Sequence, residues 1–103
     1  MKVIRAAEFK PNRPWGALAV ALMDGISVKL HWTDQPYHWH VNDGAEVFAV
    51  LEGVVDMHYR AGGVQDVATL AAGDIFFADV GTEHLARPRG EARVLVIEKA
   101  DSR

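Results

Sequence analysis

The chain has 103 residues, half of them hydrophobic and 24% charged, which fits a single globular domain spanning 1–103 around one core. A formal net charge of −3 gives no support for a nucleic-acid or anionic-membrane partner. Cysteine is absent, which excludes a disulfide framework, a thiolate metal site and a cysteine nucleophile.

The first residues, Met1-Lys2-Val3-Ile4-Arg5, lack the apolar stretch of a signal peptide. No segment nears the roughly 20 apolar residues of a membrane span, so no membrane partner and a cytoplasmic location are expected. Residues 6–9 and the alanine-rich stretch 17–23 both admit helix, but context favours strand for 17–23, because the hairpin signal Asp24-Gly25 follows it. Ile26, Val28, Leu30 and Trp32 then alternate with Ser27, Lys29 and His31, predicting a half-buried strand whose apolar set faces the interior. Asn42-Asp43-Gly44 reads as a loop, and 46–51 as a second strong strand ending at Glu52-Gly53. Val55, Met57 and Tyr59 alternate with Val54, Asp56 and His58 up to a turn at Ala61-Gly62-Gly63. Residues 64–70 return, a turn follows at Ala71-Ala72-Gly73-Asp74, and 75–78, 84–87 and 93–98 are three further short strands. Many short strands with Gly-rich turns predict an all-β sandwich or barrel.

One constellation carries chemistry. His38 and His40, at spacing i, i+2 on extended chain, point to the same side. Alternation continued from Trp32 puts both on the interior face, although Asp34-Gln35-Pro36 can interrupt the count. Glu46 shares a face with Phe48 and Val50, and a carboxylate on an inner face needs a counter-charge. His84 adds an imidazole from a distant segment. Imidazole and carboxylate together suit divalent first-row transition metals. A lone histidine on an apolar face is more often a satisfied core residue; three with a glutamate are harder to explain so. His31 and His58 fall on the polar faces of their strands and are expected at the surface or an interface. Arg87, Arg89 and Arg93, interleaved with Glu83, Glu91 and Glu98, read as a solvated face.

These residues resemble two motifs of the cupins. The first, G-x5-H-x-H-x3,4-E-x6-G, is met by His38, His40, Glu46 and Gly53; the second, G-x5-P-x-G-x2-H-x3-N, by Gly73, Gly81 and His84. Trp32, Asp79 and Pro88 depart from the motif glycine, proline and asparagine, and five residues separate His40 from Glu46. The longer spacing leaves two arrangements open: Glu46 joins the histidines, or water completes a three-histidine site.

The resemblance extends over roughly residues 27–98 and implies a double-sheet jelly-roll β-barrel. It implies a divalent transition metal (Fe, Mn, Ni, Zn or Cu) held by His38, His40, Glu46 and His84. It implies a small-molecule ligand or substrate, and a homodimer for whose surface Trp39 and His58 are candidates. Three functions are compatible: a metalloenzyme of dioxygenase or isomerase type acting on a small oxygenated molecule, a non-catalytic module holding a sugar or small acid beside a structural metal, or, with less to support it, a stand-alone sensor or interaction protein. Gln35, Tyr37, Asp79 and Arg87 are the polar residues available to orient substrate, none at a spacing that defines a role. Val50, Leu51, Val94, Leu95, Val96 and Ile97 are expected as apolar pocket walls, and most aromatic residues as core.

Overall fold

A computed structural model describes residues 1–41 and 43–101; Asn42 of the expected loop lies outside them. In chain order the strands are β1 (Gly16–Met23), β2 (Ile26–Thr33), β3 (His40–Val41), β4 (Glu46–Glu52), β5 (Val54–Ala61), β6 (Val64–Ala71), β7 (Ile75–Ala78), β8 (Glu83–Pro88) and β9 (Ala92–Lys99). They form two antiparallel sheets, ordered β1-β2-β9-β4-β7 and β3-β8-β5-β6, the jelly-roll arrangement expected from the sequence. Residues 6–9 become helical only as one 3-10 turn, Ala6–Glu8, with no buried residue. Asp24 and Gly25 (φ 52° and 77°) close the β1–β2 hairpin, and Gly62 and Gly63 (φ 58° and 79°) close β5–β6. Both are two-residue turns with positive φ at each position, the kind that matches strand twist.

Register identifies the inner face. Glu46 pairs with Glu98, Phe48 with Val96 and Val50 with Val94 across β4 and β9. β9 in turn sets Glu98 against Ser27, Val96 against Lys29 and Val94 against His31. The inward set of β2 is therefore Ser27, Lys29 and His31, the reverse of the sequence expectation. The apolar set of β2 faces outward, and part of it is covered by the N-terminal segment. The Phe9 carbonyl accepts from Arg93 Nε (2.9 Å), Lys10 Nζ lies 5.4 Å from the Trp32 ring centre, and Trp32 Nε1 donates to Glu91. Alternation does mean strand here, but the cover on that face comes from the chain's own beginning.

The interior divides along the strands. Val50, Val55, Met57, Leu70, Ala92 and Val94 fill one end with fully apolar packing. Glu46, Glu98, His40 and His84 occupy the other, with Phe48, Ala86 and Val96 between. Leu51, 44% exposed, and Leu95 and Ile97 fall on the outward face, so they are not the pocket walls expected of them.

Gly53, the last glycine of the first motif, has φ 87°, and a Cβ there would run into the carbonyl oxygen of Glu91 and the backbone of Ala92. Gly53→Ala is expected to cost about 3 kcal/mol, through left-handed strain and displaced backbone together. Urea unfolding measures this; an unchanged midpoint would mean the turn relaxes freely.

Candidate metal centre

Three of the four expected ligands converge. The donor atoms of His40, Glu46 and His84 all lie within 4.8 Å of one another. β3 and β8 pair His40 directly with His84, and their rings stand 4.2 Å apart. β4 supplies Glu46 from the opposite sheet, 6% exposed, and His84 Nε2 lies 2.8 Å from Glu46 Oε1.

The tautomers follow from the partners. His84 Nδ1 lies 3.1 Å from the Thr82 carbonyl, and His40 Nδ1 lies 3.2 Å from the His38 carbonyl. A carbonyl oxygen only accepts, so each Nδ1 carries a hydrogen, which leaves the Nε2 of each ring, and for His84 the one turned to Glu46, as the atom that can take a metal. Fixing the outer nitrogen on a backbone carbonyl is how metal-binding imidazoles are oriented. His84 Nε2 and Glu46 Oε1, both lone-pair atoms, sit 2.8 Å apart and need a shared cation. A proton satisfies them, and so does a divalent ion: two ligands at right angles, each about 2.1 Å from a metal, are on the order of 3 Å apart.

Charge in the cluster is strongly coupled. Burial pushes the His84 imidazolium down, but the hydrogen bond and charge of Glu46 outweigh it, and its pKa is raised. Burial, then the neighbouring His84, lower His40 and keep it neutral. Glu98, set against Glu46 across the β4–β9 ladder and hydrogen-bonded to it, is pushed up to about 7 by burial and by the Glu46 hydrogen bond and charge.

His38 stands elsewhere. Its ring is exposed and stacks on Tyr37 at 4.1 Å, 5.8 Å from the His40 ring. Residues 34–39 are not strand, so parity counted from β2 does not reach it; β3 belongs to the other sheet. Of the polar candidates, Tyr37 lines the cavity, whereas Gln35, Asp79 and Arg87 are exposed and outside it. Trp39 lies under the Arg60 guanidinium, 3.8 Å from its ring centre, and His58 is half-buried on the outer side of β5.

Two pocket residues escape the sequence reading. The cavity, about 250 Å³, is lined by Glu98 and His31 as well as the triad, with Trp15 and Phe48 among its walls. The charge run puts Glu98 on a solvated face, yet Val94, Val96 and Glu98 share one side of β9, and that period-2 run is the available signal. Arg93, expected on the same solvated face, is 8% exposed, bonded to Phe9 and paired with Glu52 (3.1 Å). Arg89 does remain at the surface, bidentate on Asp56. His31 turns inward with the rest of its face of β2, and its Nδ1 lies 3.0 Å from the Trp15 carbonyl.

Residues 27–98 match the family profile Cupin_2, described as the cupin domain. A cupin-2 domain containing protein from Shewanella frigidimarina is 29% identical, with a TM-score of 0.76 over 85% of this chain and 83% of its own. TT1209 from Thermus thermophilus is 23% identical, with a TM-score of 0.78 over 96% of this chain and 97% of its own. Hydroxypropylphosphonic acid epoxidase from S. wedmorenis shares the fold at 17% identity and a TM-score of 0.63, over 72% of this chain and 43% of its own. No curated protein matches. With the profile covering well over half its length, and the motif residues His40, Glu46 and His84 gathered between two jelly-roll sheets, the chain belongs to the cupin domain family.

Proposed function

We propose that this cupin binds a divalent transition metal (Fe, Mn, Ni, Zn or Cu) and acts as a small metalloenzyme, of dioxygenase or isomerase type, on a small oxygenated molecule. The observation that carries the reading is the triad: three ligand atoms within 4.8 Å, drawn from both sheets, with the Nδ1 of each imidazole held on a backbone carbonyl and His84 Nε2 turned to Glu46. His40, Glu46 and His84 would hold the ion. His38 is the fourth ligand of the proposal, reaching the ion by turning off Tyr37, which the exposed, non-strand segment 34–39 permits. When bound, the ion supplies polarisation of a substrate oxygen or, as iron(II), a site for O2. Glu98, half-buried and hydrogen-bonded to Glu46, is placed to take or give a proton. The runner-up, a binding module with a structural metal, is favoured by the smallness of the cavity.

Metal analysis of freshly purified protein tests the proposal. About one ion per chain is expected, most of it lost in His40→Ala, Glu46→Ala and His84→Ala and part of it in His38→Ala. Equal sub-stoichiometric metal in all would end it. Oxygen uptake by iron-loaded protein and isomerase assays on small sugars then separate the readings. No turnover, with tight binding of one compound, would favour the binding module.

The reading includes a homodimer. The outward face of the five-stranded sheet carries Val47 and Ala49 on β4, Ile97 on β9, and Ile75 and Phe77 on β7, the last two 67% and 58% exposed. This face supports pairing better than the side bearing Trp39 and His58, where Trp39 already has Arg60. Phe77→Lys is expected to halve the mass measured by light scattering without lowering metal content; an unchanged mass would remove this face from consideration.

A further inference from the structure

The geometry points to His31 as the hydrogen-bond acceptor that selects the ligand, and to an uncharged, planar molecule presenting a hydroxyl or N–H donor as what the cavity takes. The inference rests on the proposed reading of the cavity as a small-molecule site, and extends it to the class of molecule bound.

His31 reaches the cavity from β2, two strands away from β4 in the sheet order, and is no part of the triad. Its Nδ1–H is committed to the Trp15 carbonyl at 3.0 Å, which leaves Nε2 as a bare acceptor. Among the described residues nothing hydrogen-bonds that Nε2, and no buried side-chain nitrogen or oxygen is left unpartnered, so it is an accessible acceptor on a residue that lines the cavity. Burial lowers the His31 pKa, which keeps the lone pair available near neutral pH.

The support behind His31 is held at some expense. Trp15 has φ 61°, a left-handed conformation uncommon for a bulky residue, and such strain gathers where geometry serves function. Its indole Nε1 donates to the Gln35 carbonyl (2.9 Å) and its ring meets Tyr37 edge-on at 5.3 Å. The N-terminal segment, β2 and the segment carrying Tyr37 are thus tied together around one imidazole.

The walls define the ligand class. Trp15, Tyr37 and Phe48 offer aromatic surface, and about 250 Å³ is room for one substituted ring, below the roughly 300–1,000 Å³ usual for larger ligands. Glu46 and Glu98 line the cavity, whereas no lysine or arginine does among the described residues; Lys29, on the same face of β2, is exposed and outside it. An anion therefore finds no fixed counter-charge from the protein. With a divalent ion on the triad, Glu46 and Glu98 leave the cavity no net negative charge whether or not Glu98 holds its proton, so a cation has nothing to neutralise.

The test is an NMR titration of the full chain, zinc-loaded and metal-free, with phenol, anisole, benzoate and benzylamine. Phenol is expected to bind about three- to tenfold more tightly than anisole, the ratio one hydrogen bond supplies, and more tightly than either charged ring. His31→Asn can keep the bond to the Trp15 carbonyl but has no atom at the Nε2 position, and should lose the phenol preference. His31→Gln, which can reach the Nε2 position, should retain part of it; a role confined to holding Trp15 would give the opposite order. In the unsubstituted protein the ¹⁵N resonance of His31 Nε2 should move with phenol and stay with anisole, which tests the inference without any variant. A preference surviving in His31→Asn, an unmoved resonance, no phenol binding, or benzoate as the best ligand would each overturn it. Absence of zinc binding with the preference intact would sink the metal reading and leave His31 standing.

Discussion

Addition of zinc at about a thousand times its dissociation constant is expected to raise the thermal unfolding midpoint by roughly 15 °C, and chelation to reverse it. A ligand bound only by the folded chain contributes about 4 kcal/mol under those conditions. For a domain of about 100 residues each kcal/mol moves the midpoint by roughly 4 °C. The fold has already brought His40, Glu46 and His84 together and fixed both imidazole tautomers, so little ordering opposes binding. His84→Ala removes one of three convergent donors, and its shift should fall below about 4 °C, the yield of one kcal/mol. Scanning fluorimetry of the two proteins with zinc and then EDTA measures both; equal shifts would place the zinc elsewhere.

The second expectation concerns pH. Metal-free protein should lose stability as pH rises from about 6.5 to 8, whereas metal-loaded protein should not. Glu98, raised to about 7, keeps in the folded state a proton that the unfolded chain has released, so its contribution is lost as pH climbs through that value. His84, also raised, contributes stability that is complete below its unfolded pKa and is lost as pH passes its folded one. His40 and His31 are lowered and act oppositely, an effect that fades within about one pH unit above the ordinary imidazole pKa of about 6.5, as the unfolded chain gives up the last of their protons. The losses at Glu98 and His84 are therefore partly offset at first and prevail by about pH 8. Because Glu98 is half-exposed, solvent screening reduces its share to about 1 kcal/mol. Metal competes with the protons on the triad, so affinity rises over the same window and offsets the loss. Urea midpoints at pH 6.5 and 8 measure the slope, and Glu98→Gln should flatten it in the metal-free protein. A metal-free protein more stable at pH 8 than at 6.5 would contradict the coupling.

Much of this was legible in the residues because a strand announces itself locally. Period-2 alternation and the Asp24-Gly25 and Gly62-Gly63 turns located the strands from single segments. Motif spacing identified His40, Glu46 and His84, and the extra residue before Glu46 did not displace it from the other two. What could not be read was which face of β2 is inside. Buried residues lie on both sides of that strand, Ser27 on one and Leu30 and Trp32 on the other, with Lys10 over the Trp32 ring, so hydrophobicity alone does not choose. The misassigned face hid His31, and the charge run hid Glu98, since a carboxylate beside arginines in sequence can still point the other way on a strand. The place of His38 depends on an irregular segment, where neither periodicity applies.

The triad takes Glu46 from the five-stranded sheet and His40 and His84 from the four-stranded one. An ion held by all three would join the two layers at the open end of the barrel, acting as a rivet where the apolar plug is absent. The sheets could then no longer part there independently. Amide protons of β4 and β8, which belong to different layers, would exchange in concert and slowly with the ion in place, and separately once it is removed.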